Sequence, residues 1–137
     1  MNLPLGEFKL SEPADIASIE AAEKELGFNF PDDYKAFMSK HAGGEGFIGE
    51  HYLILWRATE LATFNREYEF PIYVSALVAF GSNGGGEAFA FDTRTSPPAV
   101  VMVPFIGMSY EDSIKVADSF DALLARMHKA DSLFDAD

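Results

Sequence analysis

The chain contains no cysteine. That one absence excludes a disulfide framework, a thiolate zinc site and a cysteine nucleophile. Positive charge is scarce as well. Ten Lys and Arg stand against twenty-two Asp and Glu, for a formal net charge of -12. A surface of that sign repels nucleic acid phosphates and anionic lipid headgroups, so neither nucleic acid nor membrane is expected as a partner. No apolar run approaches the ~20 residues that span a bilayer, and the longest, Val74–Phe80 and Ala99–Ile106, have the length of buried strands. The N-terminal MNLPLGEFKLSEPAD has no basic region leading into an apolar stretch, which argues against a secretory signal and for a cytoplasmic location.

What the chain has is material for a core. Its 137 residues are 48% hydrophobic and include thirteen Phe, enough for one globular domain without metal or disulfide support. No linker, internal repeat or low-complexity tract divides it, so residues 1–137 read as a single domain, with 130–137 expected to fray. Ile16, Ile19, Ala22 and Leu26 recur at helical spacing, with Ser11 and Pro13 as a cap region ahead of them and Gly27 as a left-handed stop. Pro31 opens a second helix, with Asp32 and Asp33 in its favourable first turn and Tyr34, Phe37, Met38 and His41 along one face. The two helices and their short apolar link predict an αα-hairpin.

Beyond them, Gly43–Gly49 reads as a loop, Tyr52–Trp56 as a strand, and Thr59–Tyr68 as a third helix with Leu61, Phe64 and Tyr68 inward, bounded by Pro71. The period then changes to two. Val74–Phe80 and Glu87–Asp92 alternate around the hairpin loop Gly81–Gly86, and Ala99–Val103 follows after the turn Thr95–Pro98. A loop over 104–115 leads to a last helix, capped by Asp118 or Ser119, with Phe120, Leu123, Leu124 and Met127 inward. The fold class is α+β: an antiparallel sheet with an N-terminal αα-hairpin and a C-terminal helix, the helices on one face.

The pattern holds little chemistry. Gly81–Gly86 lacks the Gly-Lys-Ser/Thr and G-x-G-x-x-G spacings and runs into a strand, so it is a turn and not a phosphate cradle. His41, His51 and His128 share no metal-ligand spacing. No G-x-S-x-G elbow surrounds Ser82, and carboxylate pairs are too abundant to single one out for acid–base work. No catalytic residue, metal ligand or cofactor is expected. What remains is surface. Glu45, Glu50, Glu87, Glu111 and Asp112 sit in or beside loops and form a candidate acidic docking face. Trp56, the single tryptophan, is either core or an interface anchor, and Tyr110 has the mixed character common at interfaces.

The order of motifs is similar to that of the SUKH superfamily, which includes cell wall assembly regulator-like proteins. An acidic helix ends in Leu26-Gly27; Phe30-Pro31-Asp32-Asp33-Tyr34 opens an apolar helix; Gly43-Gly44 closes it. A strand ending at Trp56, Phe80-Gly81 before the glycine-rich turn, Phe91-Asp92, and the Ser119–Leu124 helix follow in the same order. Ala42 and Phe30 stand where the family usually has Asn and Leu. The resemblance implies a non-catalytic α+β domain. Bacterial proteins of this kind look like immunity proteins that bind and occlude a cognate toxin, often a basic nuclease, which the acidic balance suits. The alternative it implies is a regulatory scaffold with several protein partners, as in fungal relatives, which are longer.

Overall fold

The computed structural model describes residues 9–10, 16–41, 43–129 and 133. Helix α1 (Ile16–Leu26) ends at Gly27, whose φ of +65° is the left-handed stop the sequence leads one to expect. The Phe28–Phe30 link carries the chain into α2 (Asp32–Lys40), and Glu23 anchors the link by accepting the Phe30 N–H at 2.8 Å. The cap region expected at Ser11 and Pro13 lies outside the described residues.

The strands are β1 (Lys9–Leu10), β2 (Gly44–Ile48), β3 (His51–Leu55), β4 (Leu77–Ser82), β5 (Glu87–Asp92), β6 (Ala99–Pro104) and β7 (Ile114–Ala117). All pair antiparallel in sequence order, so the meander expected for the middle of the chain is the whole sheet. Two of them replace expected loops. The glycine-rich stretch after α2 is β2, paired along its length from Gly44↔Leu55 to Ile48↔His51. Alternating glycines supply no hydrophobic period, so pairing with β3 decides the conformation and not side-chain pattern. Gly49 and Glu50 make the two-residue turn. Gly49 sits at φ +61°, and any Cβ there would strike the Met127 carbonyl, because the end of α5 (Phe120–His128) packs on the hairpin. The second, β7, is a short edge strand that begins in the last two residues of the loop expected over 104–115 and runs on to Ala117.

The third helix is two. After a 3-10 turn at Ala58–Glu60, α3 spans Leu61–Glu67; then Glu69, in a left-handed conformation at φ 64°, redirects the chain into α4 (Phe70–Tyr73). Pro71 does not end a helix; it opens one, in the first turn, where its missing N–H costs nothing. Ser119 caps α5 by accepting the Ala122 N–H at 3.1 Å. In the tail that was expected to fray, Leu133 is buried; residues 130–132 and 134–137 lie outside the described residues.

The core is aromatic. Tyr34 contacts Phe30, Phe80, Phe91 and Phe120 with centroids 5.0 to 5.6 Å apart, and Phe80 lies 4.5 Å from Phe91. This cluster joins α2 and α5 to one sheet face. Directly paired residues share a face, so Leu77, Ala79, Ala88, Ala90, Ala99 and Val103 belong to the other, and all are buried. α3 and α4 lie against β4, and the 105–113 segment runs from Gly86, where Phe105 N–H bonds the carbonyl, to Ala76, where the Tyr110 hydroxyl accepts the N–H.

β3 pairs β4 only at Ile54↔Ser82 and Leu55↔Gly81, then diverges. The amide of Asn65 fills the gap as a strand would. Its Nδ2 donates to Ala79 O at 2.9 Å and its Oδ1 accepts Ala79 N–H at 2.9 Å, while Nδ2 also reaches Leu61 O at 2.8 Å. Both backbone groups of Ala79 are thereby satisfied in a dry interior, where leaving them unpaired is costly.

Candidate functional site

The face of β2 and β3 that carries Glu45, Phe47, Tyr52 and Ile54 is open where the same face of β4–β6 is covered. Register places Glu45 opposite Ile54 and Phe47 opposite Tyr52. The Tyr52 hydroxyl donates to Glu45 Oε2 at 2.6 Å, and the Phe47 ring meets Tyr52 edge-on at 5.0 Å. That hydrogen bond to the carboxylate holds the Tyr52 phenol above the usual tyrosine range. The β4–β5 turn folds over Tyr52: a Cβ on Gly84 would stand 3.2 Å from its ring. Asn83 shapes this turn, accepting the Gly85 and Glu87 N–H groups on Oδ1 and donating to Glu87 Oε1 at 2.8 Å.

Three of the carboxylates expected to form a docking face therefore come together at one end of the sheet. Glu45 and Glu87 flank the β4–β5 turn, and Glu50 is exposed at the β2–β3 tip. The others do not join them. Tyr110 belongs to the opposite end, separated from Glu87 by the length of β5, about 17 Å for six residues. It is a clamp: its hydroxyl takes the Ala76 N–H at 2.9 Å and its ring carries the Arg94 guanidinium at 4.2 Å. Arg94 in turn grips Asp92 through two side-chain bonds of 2.9 Å. Glu111 and Asp112 follow Tyr110 and are exposed there.

Trp56 is 6% exposed, so its expected role as an interface anchor gives way to one of support. It stacks under Tyr68 at 6.0 Å and touches Phe64 at 5.0 Å; Tyr68 in turn meets Phe105 at 4.5 Å. Tyr68, expected on the inner face of its helix, stands at the C-cap of α3 with nearly half its surface free. Phe47, Tyr52, Phe105 and Ile106 were not expected as surface residues of a site, and Tyr68 was expected to face inward. The one signal for Tyr68 was its place three residues ahead of Pro71, where the helical period could not continue.

Charge is distributed unevenly across these segments. Residues 43–56 and 67–114 together carry eight carboxylates and a single Lys or Arg, Arg94, which is engaged by Asp92. An open groove of about 690 Å³ runs along α1 beside Ala17, Glu20, Glu23, Lys24 and Phe28, but Glu23 is already occupied by the Phe30 N–H and by Lys35 at 3.6 Å. Among the described residues no cluster of three or more His, Asp or Glu could hold a metal ion, and no helix is long and apolar enough to cross a membrane.

Two comparisons bear on this arrangement. The family model described as SMI1 / KNR4 family (SUKH-1) matches residues 13–126. A Bacillus subtilis (strain 168) protein titled "Uncharacterized protein YnaB" is 29% identical over 116 residues, covering 83% of this chain and 76% of that protein.

Proposed function

The chain belongs to the SMI1/KNR4 family (SUKH-1), and on that premise we propose that it is a non-catalytic protein-binding domain, an immunity protein for a basic toxin domain. The observation that carries the reading is the convergence of Glu45, Glu50 and Glu87 at one end of the sheet, in segments that hold no Lys or Arg. Two of the three are held in place, Glu45 by Tyr52 and Glu87 by Asn83. Fixed carboxylates lose little freedom when a partner's Arg or Lys arrives, and the long-range field of an acidic surface raises the rate of encounter. A nuclease binds phosphates with cations, and carboxylates at phosphate-like positions occupy the same groups and occlude the cleft.

The test pairs the protein with the toxin domain encoded beside its gene, in a co-expression assay for protection. The expected result is protection that the Glu45→Lys, Glu50→Lys, Glu87→Lys triple variant abolishes, and an association rate that falls steeply with salt. Protection that survives all three reversals would sink the acidic-face mechanism. Absence of any toxic neighbour, with several weak partners instead, would favour a regulatory scaffold.

A further inference from the structure

Resting on that protein-binding reading, we infer that the aromatic ledge around Tyr68 is the apolar half of the docking surface, and that it receives a basic segment of the partner bearing an apolar side chain. Four of the large apolar side chains most open to solvent are Tyr68, Ile72 (71% exposed), Tyr73 and Ile106 (93% exposed). They come from only two stretches of chain, and the Tyr68–Phe105 contact joins those stretches. Isolated exposed apolar residues are ordinary; several gathered around one rigid ring mark a binding surface.

The ledge is built in advance. Trp56 stacks beneath Tyr68 with 16° between the rings, and Phe105 closes the side, so a partner meets a fixed surface and little side-chain freedom remains to be lost. The left-handed backbone of Glu69 starts α4 directly after α3, so Ile72 and Tyr73 follow Tyr68 within five residues. Such a conformation in a residue other than glycine is itself unfavourable, and it persists because the surroundings impose it.

Charge identifies the occupant. Glu67 and Glu69 flank Tyr68, and both are exposed. From Glu67 to Ile114 the only cation is Arg94, already held by Asp92. Arg66 is two positions before Tyr68, roughly 200° around the helix. A second copy of this chain would bring its own excess of carboxylates to the same place, which repulsion disfavours. An Arg or Lys finds a half-exposed tyrosine between two exposed carboxylates, a cation–π partner with charge support, while Ile72 and Ile106 offer apolar surface to a neighbouring group. The ledge also adjoins the acidic end of the sheet, since Phe105 N–H bonds Gly86 in the turn that carries Glu87.

The experiment titrates the full ¹⁵N-labelled chain with a synthetic peptide, Arg-Leu-Arg-Phe-Arg-Leu, and with two controls: Gln in place of every Arg, and Ser in place of every apolar residue. The expected result is saturable shifts of the Tyr68, Glu69, Phe105 and Ile106 amides with the first peptide and weaker ones with both controls. The doubly substituted Ile72→Ser, Ile106→Ser protein should bind about fivefold more weakly. Both positions are so exposed that the variant keeps its fold, which an unchanged melting temperature verifies. Shifts confined to Glu45, Phe47 and Glu87 would overturn the ledge and leave the acidic-face reading standing. No saturable shift anywhere would also overturn it, while the toxin-protection assay, which uses no peptide, judges the wider function separately.

Discussion

Two aromatic clusters of this molecule are each centred on a tyrosine and have opposite fates. Around Tyr34, rings from α2, β4, β5 and α5 close on every side, and Tyr34 is 1% exposed. Around Tyr68, Trp56, Phe64 and Phe105 cover one side only, and the other remains open. The difference lies in what surrounds the rings. The first cluster lies between a sheet face and two helices. The second forms where β3 leaves β4, α3 ends, and the chain turns at Glu69 before another layer can be laid down. Aromatic content alone therefore builds a core or an exposed ledge, and topology chooses between them.

The contrast is broken most directly by deleting one member of each cluster. Phe91→Ala removes a fully buried ring that touches Phe28, Phe30, Tyr34 and Phe80, and should cost about 3–5 kcal/mol in urea unfolding. Ile106→Ser, at the open ledge, should change stability by less than about 0.5 kcal/mol. Similar losses at both positions would mean that the ledge is a continuation of the core and not a separate surface.

Asn65 stands on the boundary between the two regions. Asn65→Ala strips three hydrogen bonds and leaves both backbone groups of Ala79 buried without partners, so the expected loss is about 2–4 kcal/mol. The same experiment with Asn65→Asp asks whether the donor matters: a carboxylate keeps an acceptor for the Ala79 N–H but cannot donate to the carbonyls. Equal stability for Asp and Asn would show that the strand-like bridge contributes nothing through its donor.

The residues explain what could be read from the sequence and what could not. α1, α2 and α5 were legible because their apolar residues recur at helical spacing beside Gly27, Pro31 and Ser119, and each of these signals acts locally. β4 and β5 were legible because they alternate, and β6 because a short apolar run follows the turn Thr95–Pro98. β2 was hidden because glycine has no face, and β7 because four residues with an exposed Ile114 and Lys115 at the sheet edge carry no period. Asn65 was hidden because its partners are backbone atoms on a strand fourteen residues away. The site was half legible. Glu45, Glu50 and Glu87 could be picked out as loop carboxylates, whereas their separation from Glu111 and Asp112 depends on the path of the 105–113 segment.

The closed cluster has one blemish that the open one lacks. Among the described residues the buried Tyr34 hydroxyl has no hydrogen-bond partner, and burial pushes its phenol far above the usual range, so it stays neutral. Tyr34→Phe removes an unsatisfied group and keeps the ring, so it should raise stability by about 1 kcal/mol in the same unfolding assay. A loss of stability would mean that the hydroxyl contributes an interaction that packing around Phe30 and Phe120 does not reveal.

The smallest effects are electrostatic and differ in sign between two carboxylates, Asp121 and Asp92. Near the closed cluster, burial and then the charge of Asp33 hold the Asp121 carboxyl above its ordinary range, while its N–H donates to Asp33 Oδ2 at 2.9 Å. A raised acid favours its protonated form in the folded state. Its contribution is therefore fully present below the unfolded value near pH 3.9 and is lost as pH rises through the raised value. At the end of β5, hydrogen bonds from Arg94 hold Asp92 below its ordinary range, and that contribution is present above the unfolded value and is lost as pH falls through the lowered one. Arg94 is half exposed, so its pair with Asp92 is expected to be worth less than about 1 kcal/mol. Unfolding free energies between about pH 3 and about pH 7 separate the two: Asp121→Asn should gain stability relative to the parent chain toward neutral pH, and Asp92→Asn should lose it there. If both substitutions moved stability in the same direction as pH rose, the two carboxylates would not sit in opposed environments, and the Arg94 clamp on Tyr110 would lose its electrostatic basis.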